Sequence, residues 1–160
     1  MSRVTTKLLL AFFALSLIGV CPVLGEAAES PLADMYAEYL KSEGYFPTVD
    51  KDGDVFFKYE GSAYFILVDE DDPQFFVVIY PTFWKIDSES EKTLARKVAL
   101  EVTNSTKGAK VFLDRQEMNV SINAETLLKQ PEDFKDVFPR ILNMISSARK
   151  KFIKGMRGDN

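Results

Sequence analysis

The sequence predicts a single α+β domain, an antiparallel sheet of about five strands with three helices. The expected order is helix, three-strand meander, helix, two strands, helix. Three observations predict it. Tyr45 to Ile86 reads as successive β-strands broken by three turn signals, Asp52-Gly53, Gly61-Ser62 and Asp69-Glu70-Asp71-Asp72-Pro73, and it holds more than half of the aromatic residues. Segments on both sides of it carry apolar residues at helical spacing. A chain of 160 residues, 46% hydrophobic and 28% charged, has the size and composition of one globular domain.

The first residues read as a leader. Arg3 and Lys7 precede an apolar run, Leu8 to Val20, and small residues follow at Gly25, Ala27 and Ala28. This is the pattern of a secretory signal peptide over residues 1–25, cut after Gly25 or, second, after Ala27. The run is shorter than the roughly 20 residues a membrane-spanning helix needs. The competing reading is membrane anchoring through an uncleaved leader or a lipidated Cys21. Cys21 would take a lipid only after a small residue, and the branched Val20 precedes it. The expected location is therefore periplasmic or secreted, with no membrane span after cleavage. Cleavage leaves 18 basic against 24 acidic residues, a balance of −6. Such a surface is poorly suited to nucleic acid or anionic lipid.

Ser30-Pro31 marks a helix start, followed by Leu32, Met35, Tyr36, Tyr39 and Leu40 on one stripe and ended by Gly44. A strand is expected from Tyr45 to Val49. Asp50-Lys51-Asp52-Gly53-Asp54 begins like a calcium loop. Val55 stands where that loop needs glycine and Gly61 where it needs a bidentate glutamate, so the segment reads as a hairpin turn. Val55 to Glu60 alternates, with Val55, Phe57 and Tyr59 on one face. Ala63 to Val68 and Phe75 to Tyr80 are apolar on both faces and read as central strands. Pro81 predicts an edge or a bulge before Thr82 to Ile86.

Asp87 to Glu91 opens a second helix with acids in its first turn and a stripe of Leu94, Ala95, Val98, Ala99 and Val102. Strands are expected at Ala109 to Leu113 and Met118 to Asn123. Asn104 and Asn119 lie in glycosylation sequons read as chance matches. The last helix starts near Pro131, carries Phe134, Val137, Phe138, Ile141, Leu142, Ile145 and Phe152, and is expected to kink or split at Pro139. Its basic end complements a helix C-terminus. The domain is expected over residues 30–154, with a flexible tail at 155–160.

Composition narrows the chemistry. The chain has no histidine, and Cys21 leaves with the leader. That excludes Ser-His-Asp and Cys-His pairs and zinc or iron–sulfur sites built on these ligands. The eight glycines form no phosphate loop. Asp69, Glu70, Asp71 and Asp72 are weak candidates for holding a hard cation, against the commoner reading of a solvated turn. Nothing in the sequence sets a second acid opposite the first as a carboxylate-pair hydrolase requires.

The run Asp50-Lys51-Asp52-Gly53-Asp54-Val55-x-Phe57, then Tyr64-x-Ile66-x-Val68-x-Glu70-Asp71-Asp72-Pro73-x-Phe75, resembles the YbjN family of bacterial proteins, described as sensory transduction regulators. The helix ending near Asn104, the strands at Lys110-Val111 and Val120-Ser121 and the closing helix to Phe152 are similar to the rest of that pattern. The resemblance implies a fold like that of type III secretion chaperones, and no catalytic residue or cofactor. Many relatives look cytoplasmic, whereas this chain carries a leader. The expected function is an exported, non-enzymatic protein-interaction module, chaperone-like or regulatory, that self-associates as a homodimer through its sheet or a helix face. Its protein partner is otherwise unspecified. The sequence holds more aromatics than one small sheet face needs. The alternatives are an envelope domain that senses a cation or small ligand through the acidic turn, and a carboxylate-dependent hydrolase.

Overall fold

A computed structural model describes residues 30–158. The leader, both expected cut sites and Cys21 lie outside these residues. Helix α1 (Pro31–Ser42) is capped by Ser30, whose side chain accepts from the Ala33 N–H at 3.1 Å. The strands are β1 (Thr48–Val49), β2 (Val55–Tyr59), β3 (Ser62–Leu67), β4 (Phe75–Lys85), β5 (Ala109–Leu113) and β6 (Asn119–Leu127). Helix α2 (Glu89–Ser105) joins β4 to β5, and α3 (Phe134–Arg157) closes the domain. The strands form one sheet in the order β1-β2-β3-β4-β6-β5, every neighbour antiparallel. The α+β domain is as the sequence predicts, with six strands in place of about five. Strand β1 is what remains of the expected strand at 45–49. Pro47 has no N–H to pair, so the ladder starts at Thr48.

All three helices lie on one face. Their buried residues form a single cluster with Val55, Phe57, Tyr64, Ile66, Phe76, Val78, Tyr80, Ile122 and Ala124 of the strands. Tyr36, Phe76 and Phe134 form an aromatic triad within it, with the Tyr36 centroid 4.7 Å from Phe134 and 5.5 Å from Phe76.

Turn chemistry sets the register. Glu60 and Gly61 both take positive φ, 48° and 75°, the backbone of a two-residue hairpin turn. The turn therefore sits one residue before the expected Gly61-Ser62. Asp50 Oδ1 accepts from the N–H groups of Asp52 and Asp54 at 2.9 and 3.1 Å, so its carboxylate closes the β1–β2 turn. Between Tyr80 and Trp84 the register shifts at a bulge that contains Pro81 and Thr82, the latter with φ 45°. The Thr82 N–H, turned out of the ladder, donates to Ser121 Oγ at 3.0 Å.

Four expectations are corrected. Strand β6 runs four residues past Asn123, because Ala124 to Leu127 pair with Val78 to Phe75 of long β4. Leu94 is 39% exposed and leaves the α2 stripe, which is made by Ala95, Val98, Ala99 and Val102. Pro139 does not split α3, which runs unbroken from Phe134 to Arg157, and the short leading turn is Pro131–Asp133 instead. Pro139 is early in the helix and withholds one bond, from the Lys135 carbonyl. Tyr39 OH lies 3.5 Å from that oxygen. Residues 155–157 are helical and not a flexible tail. Met156 packs against the core, and the α3 C-terminus is closed by Gly158 in the left-handed conformation.

Candidate interaction face

Among the described residues, no helix covers the sheet's second face. Alternation along each strand sends Phe56, Phe65, Leu67, Val77, Ile79 and Phe112 to this side. None of them belongs to the core cluster or to the half-buried residues packed against it. Register aligns those of β2, β3 and β4 into a patch, and β6, which shows Ser121, Asn123 and Glu125 on this side, separates it from Phe112. Phe56 pairs with Phe65, Phe65 with Ile79, and Leu67 with Val77. The rings of Phe56 and Phe65 are 5.3 Å apart. Val77 is only 7% exposed although no helix covers it, so the surrounding side chains already exclude water from the patch centre. Leu67, Phe112 and, at the far end, Phe75 and Leu127 remain exposed, Leu127 to 74%.

The margin is polar. Lys110 and Glu125 form an ion pair, and Asn123 Nδ2 donates to Glu125 Oε2 at 3.1 Å. A dry apolar centre with a charged rim is the anatomy of a protein-docking surface. The area is modest. Five strands about 4.8 Å apart, each showing three or four residues on this side, give a footprint of roughly 400 Å². Two such faces pressed together would bury roughly 800 Å², in the weak and reversible class of interfaces.

One sheet edge is closed. Thr103 Oγ1 accepts from the Val111 N–H at 2.9 Å and donates to its carbonyl at 3.2 Å. A single hydroxyl of α2 thus occupies both polar groups that Val111 would offer to an added strand. Docking on the face, and not strand addition at β5, is what the geometry favours.

The acidic turn does not assemble as one ligand set. Glu70 turns to α1, where its Oε1 accepts from Ser30 Oγ and from the Leu32 N–H, the latter at 3.1 Å. Asp69 Oδ1 accepts from the Asp71 N–H at 3.0 Å, and the Asp72 carbonyl accepts from the Phe75 N–H. Asp71 and Asp72 are exposed. No group of three or more His, Cys, Asp or Glu side chains is placed to hold a metal among the described residues. Asp54 accepts from the Val68 N–H at 2.9 Å. Burial raises its pKa, the Val68 bond opposes this, and Asp50 and Asp52 add to the rise. Asn119, of the second sequon, donates from Nδ2 to Asp114 Oδ2 at 2.7 Å and so has a structural partner. That bond, with the Met118 N–H, holds Asp114 below the usual carboxylate range.

No family model matches the chain, and no curated protein matches it. The fold is similar to the crystal structure of an uncharacterized protein from Methanothermobacter thermautotrophicus, with a TM-score of 0.56 and 14% identity. The match covers 79% of this chain and 97% of that one. At that identity the likeness shows the fold alone.

The sequence left the choice between a sheet face and a helix face open. The excess of aromatics over what one face needs was the signal for this site. The partnership between Glu70 and Ser30, 40 residues apart, had no local signal.

Proposed function

We propose that this protein is an exported, non-enzymatic interaction module, chaperone-like or regulatory, of the kind the YbjN resemblance implies. It docks through its helix-free sheet face onto another protein, a second copy of itself in the simplest case. The observation that carries this reading is the apolar patch of Phe56, Phe65, Leu67, Val77 and Ile79, which lies outside the core. A patch of this kind loses free energy to water unless something covers it, at about 25 cal/mol per Å². The lack of histidine anywhere and of cysteine after residue 21 supports a role without covalent or metal-assisted chemistry. Among the described residues, the buried polar side chain is that of Ser121, which serves the β4 bulge.

The test is site-specific photocrosslinking in the producing cells. Probes at Leu67 and Phe112 on the face should give a self-crosslinked dimer, and a probe at exposed Lys150 on α3 should not. Absence of face-specific products would remove the reading.

A further inference from the structure

On the other side of the sheet, a cleft of about 130 Å³ opens where the end of α1, strand β2 and the first turns of α3 meet. Its walls include Tyr39, Tyr45, Tyr59 and Phe138, with Glu43 and Asn143 at the polar positions. The ring planes of Tyr39 and Tyr45 each stand nearly perpendicular to that of Phe138, at 89° and 87°, with centroids 5.8 and 6.2 Å away. Tyr59 lies 6.4 Å from Tyr45 and is tilted by 54°. Three partly exposed tyrosine rings therefore wall the space over the buried Phe138, and among the described residues no lysine or arginine lines it.

The charge is of one sign. Glu43 is the C-cap of α1, at the helix end where the backbone dipole is already negative. A carboxylate there works against the helix, and it makes no ion pair among the described residues. Burial first, and then the Glu43 charge, raise the Tyr39 pKa. Burial, then Tyr59 and Glu43, do the same at Tyr45. Tyrosine rings and carboxylate together make a site that attracts a cation, with Glu43 and Asn143 as its polar contacts. An alkylated ammonium carries its charge on methyl groups that the rings can contact.

We propose that this cleft binds the head of an alkylated ammonium compound of about the size of choline. The volume agrees, since an apolar cavity of about 150 Å³ admits benzene, a molecule of similar bulk. The site is separate from the interaction face and does not depend on it.

The test is titration of the protein with choline and with its neutral isostere 3,3-dimethyl-1-butanol, followed by the tyrosine ring resonances. Choline should shift Tyr39, Tyr45 and Tyr59 saturably, and the isostere should bind about tenfold more weakly. Glu43→Gln should weaken choline several-fold, leave the isostere unchanged and leave the fold intact, because Glu43 is exposed. Sedimentation with phosphatidylcholine vesicles separates the sources. Cosedimentation assigns a lipid headgroup, and its absence alongside choline binding assigns a free solute. Equal affinity for choline and the isostere, or no saturable shift with either, would overturn the proposal.

Discussion

Glu70 shows how a residue can be misread until the fold is known. In sequence it belongs to an acidic run that invites a cation. In the structure it reaches the first turn of α1 and takes the Ser30 hydroxyl and the Leu32 N–H. Ser30 in turn accepts from the Ala33 N–H, so one orphan donor of the helix goes to the carboxylate and a second to the hydroxyl that the carboxylate holds. Replacing Glu70 with Ala should cost about 1 kcal/mol in denaturant unfolding, the usual value of a helix cap. Asp71→Asn, at an exposed turn position, should leave stability unchanged. Tyr36 and Tyr64 make a second residue-scale prediction. Burial, reinforced by Glu70 at Tyr36 and by Tyr80 at Tyr64, pushes each phenol up to about 12 from its ordinary 10.0. The folded state therefore keeps protons that the unfolded chain releases. Their contribution is complete below pH 10 and is lost as pH rises from 10 through about 12. The alkaline limb of a stability–pH profile should fall over that window and flatten in Tyr36→Phe and Tyr64→Phe. Unchanged limbs in both variants would refute the assignment.

The elements were legible where their signals are local. Ser30-Pro31 starts α1, Asp52-Gly53 turns β1 into β2, and the Pro81 bulge falls where a proline must break a ladder. They were not legible where distant partners decide. Ala124 to Leu127 has no strong strand pattern and becomes a strand because β4 is long enough to pair with it. Leu94 fits a helical stripe as well as its neighbours do. The packed side of α2 is nevertheless the one with small residues, which lets α3 come close. Gly155 marks that approach. A Cβ there would stand 2.7 Å from Val98 Cγ1, and Val98 is buried in α2. On an open helix Gly→Ala gains about 1 kcal/mol. Here Gly155→Ala should instead lower stability by about 1 kcal/mol, since overpacking costs about 1–3 kcal/mol. Thermal or denaturant unfolding would decide the sign, and a gain would mean that the α2–α3 spacing is soft.

At the scale of the molecule, the sheet is asymmetric. One face holds three helices and a continuous aromatic core, and the other holds an apolar patch with a charged rim. The sequence carried both halves of this in its strands, since a strand apolar on both faces needs cover on both faces. What it could not carry was which residues form the uncovered patch, because that depends on register between strands far apart in the chain. The footprint of roughly 400 Å² predicts reversible association and not an obligate dimer. The most direct test is light scattering across a concentration series of the protein and of Leu67→Lys, whose exposed side chain can change without disturbing the core. The native protein should rise in mass from monomer towards dimer with concentration, and Leu67→Lys should stay monomeric with the same unfolding midpoint. A native protein that stays monomeric throughout, or a Leu67→Lys variant that associates equally well, would contradict the assignment of the helix-free face as the interface.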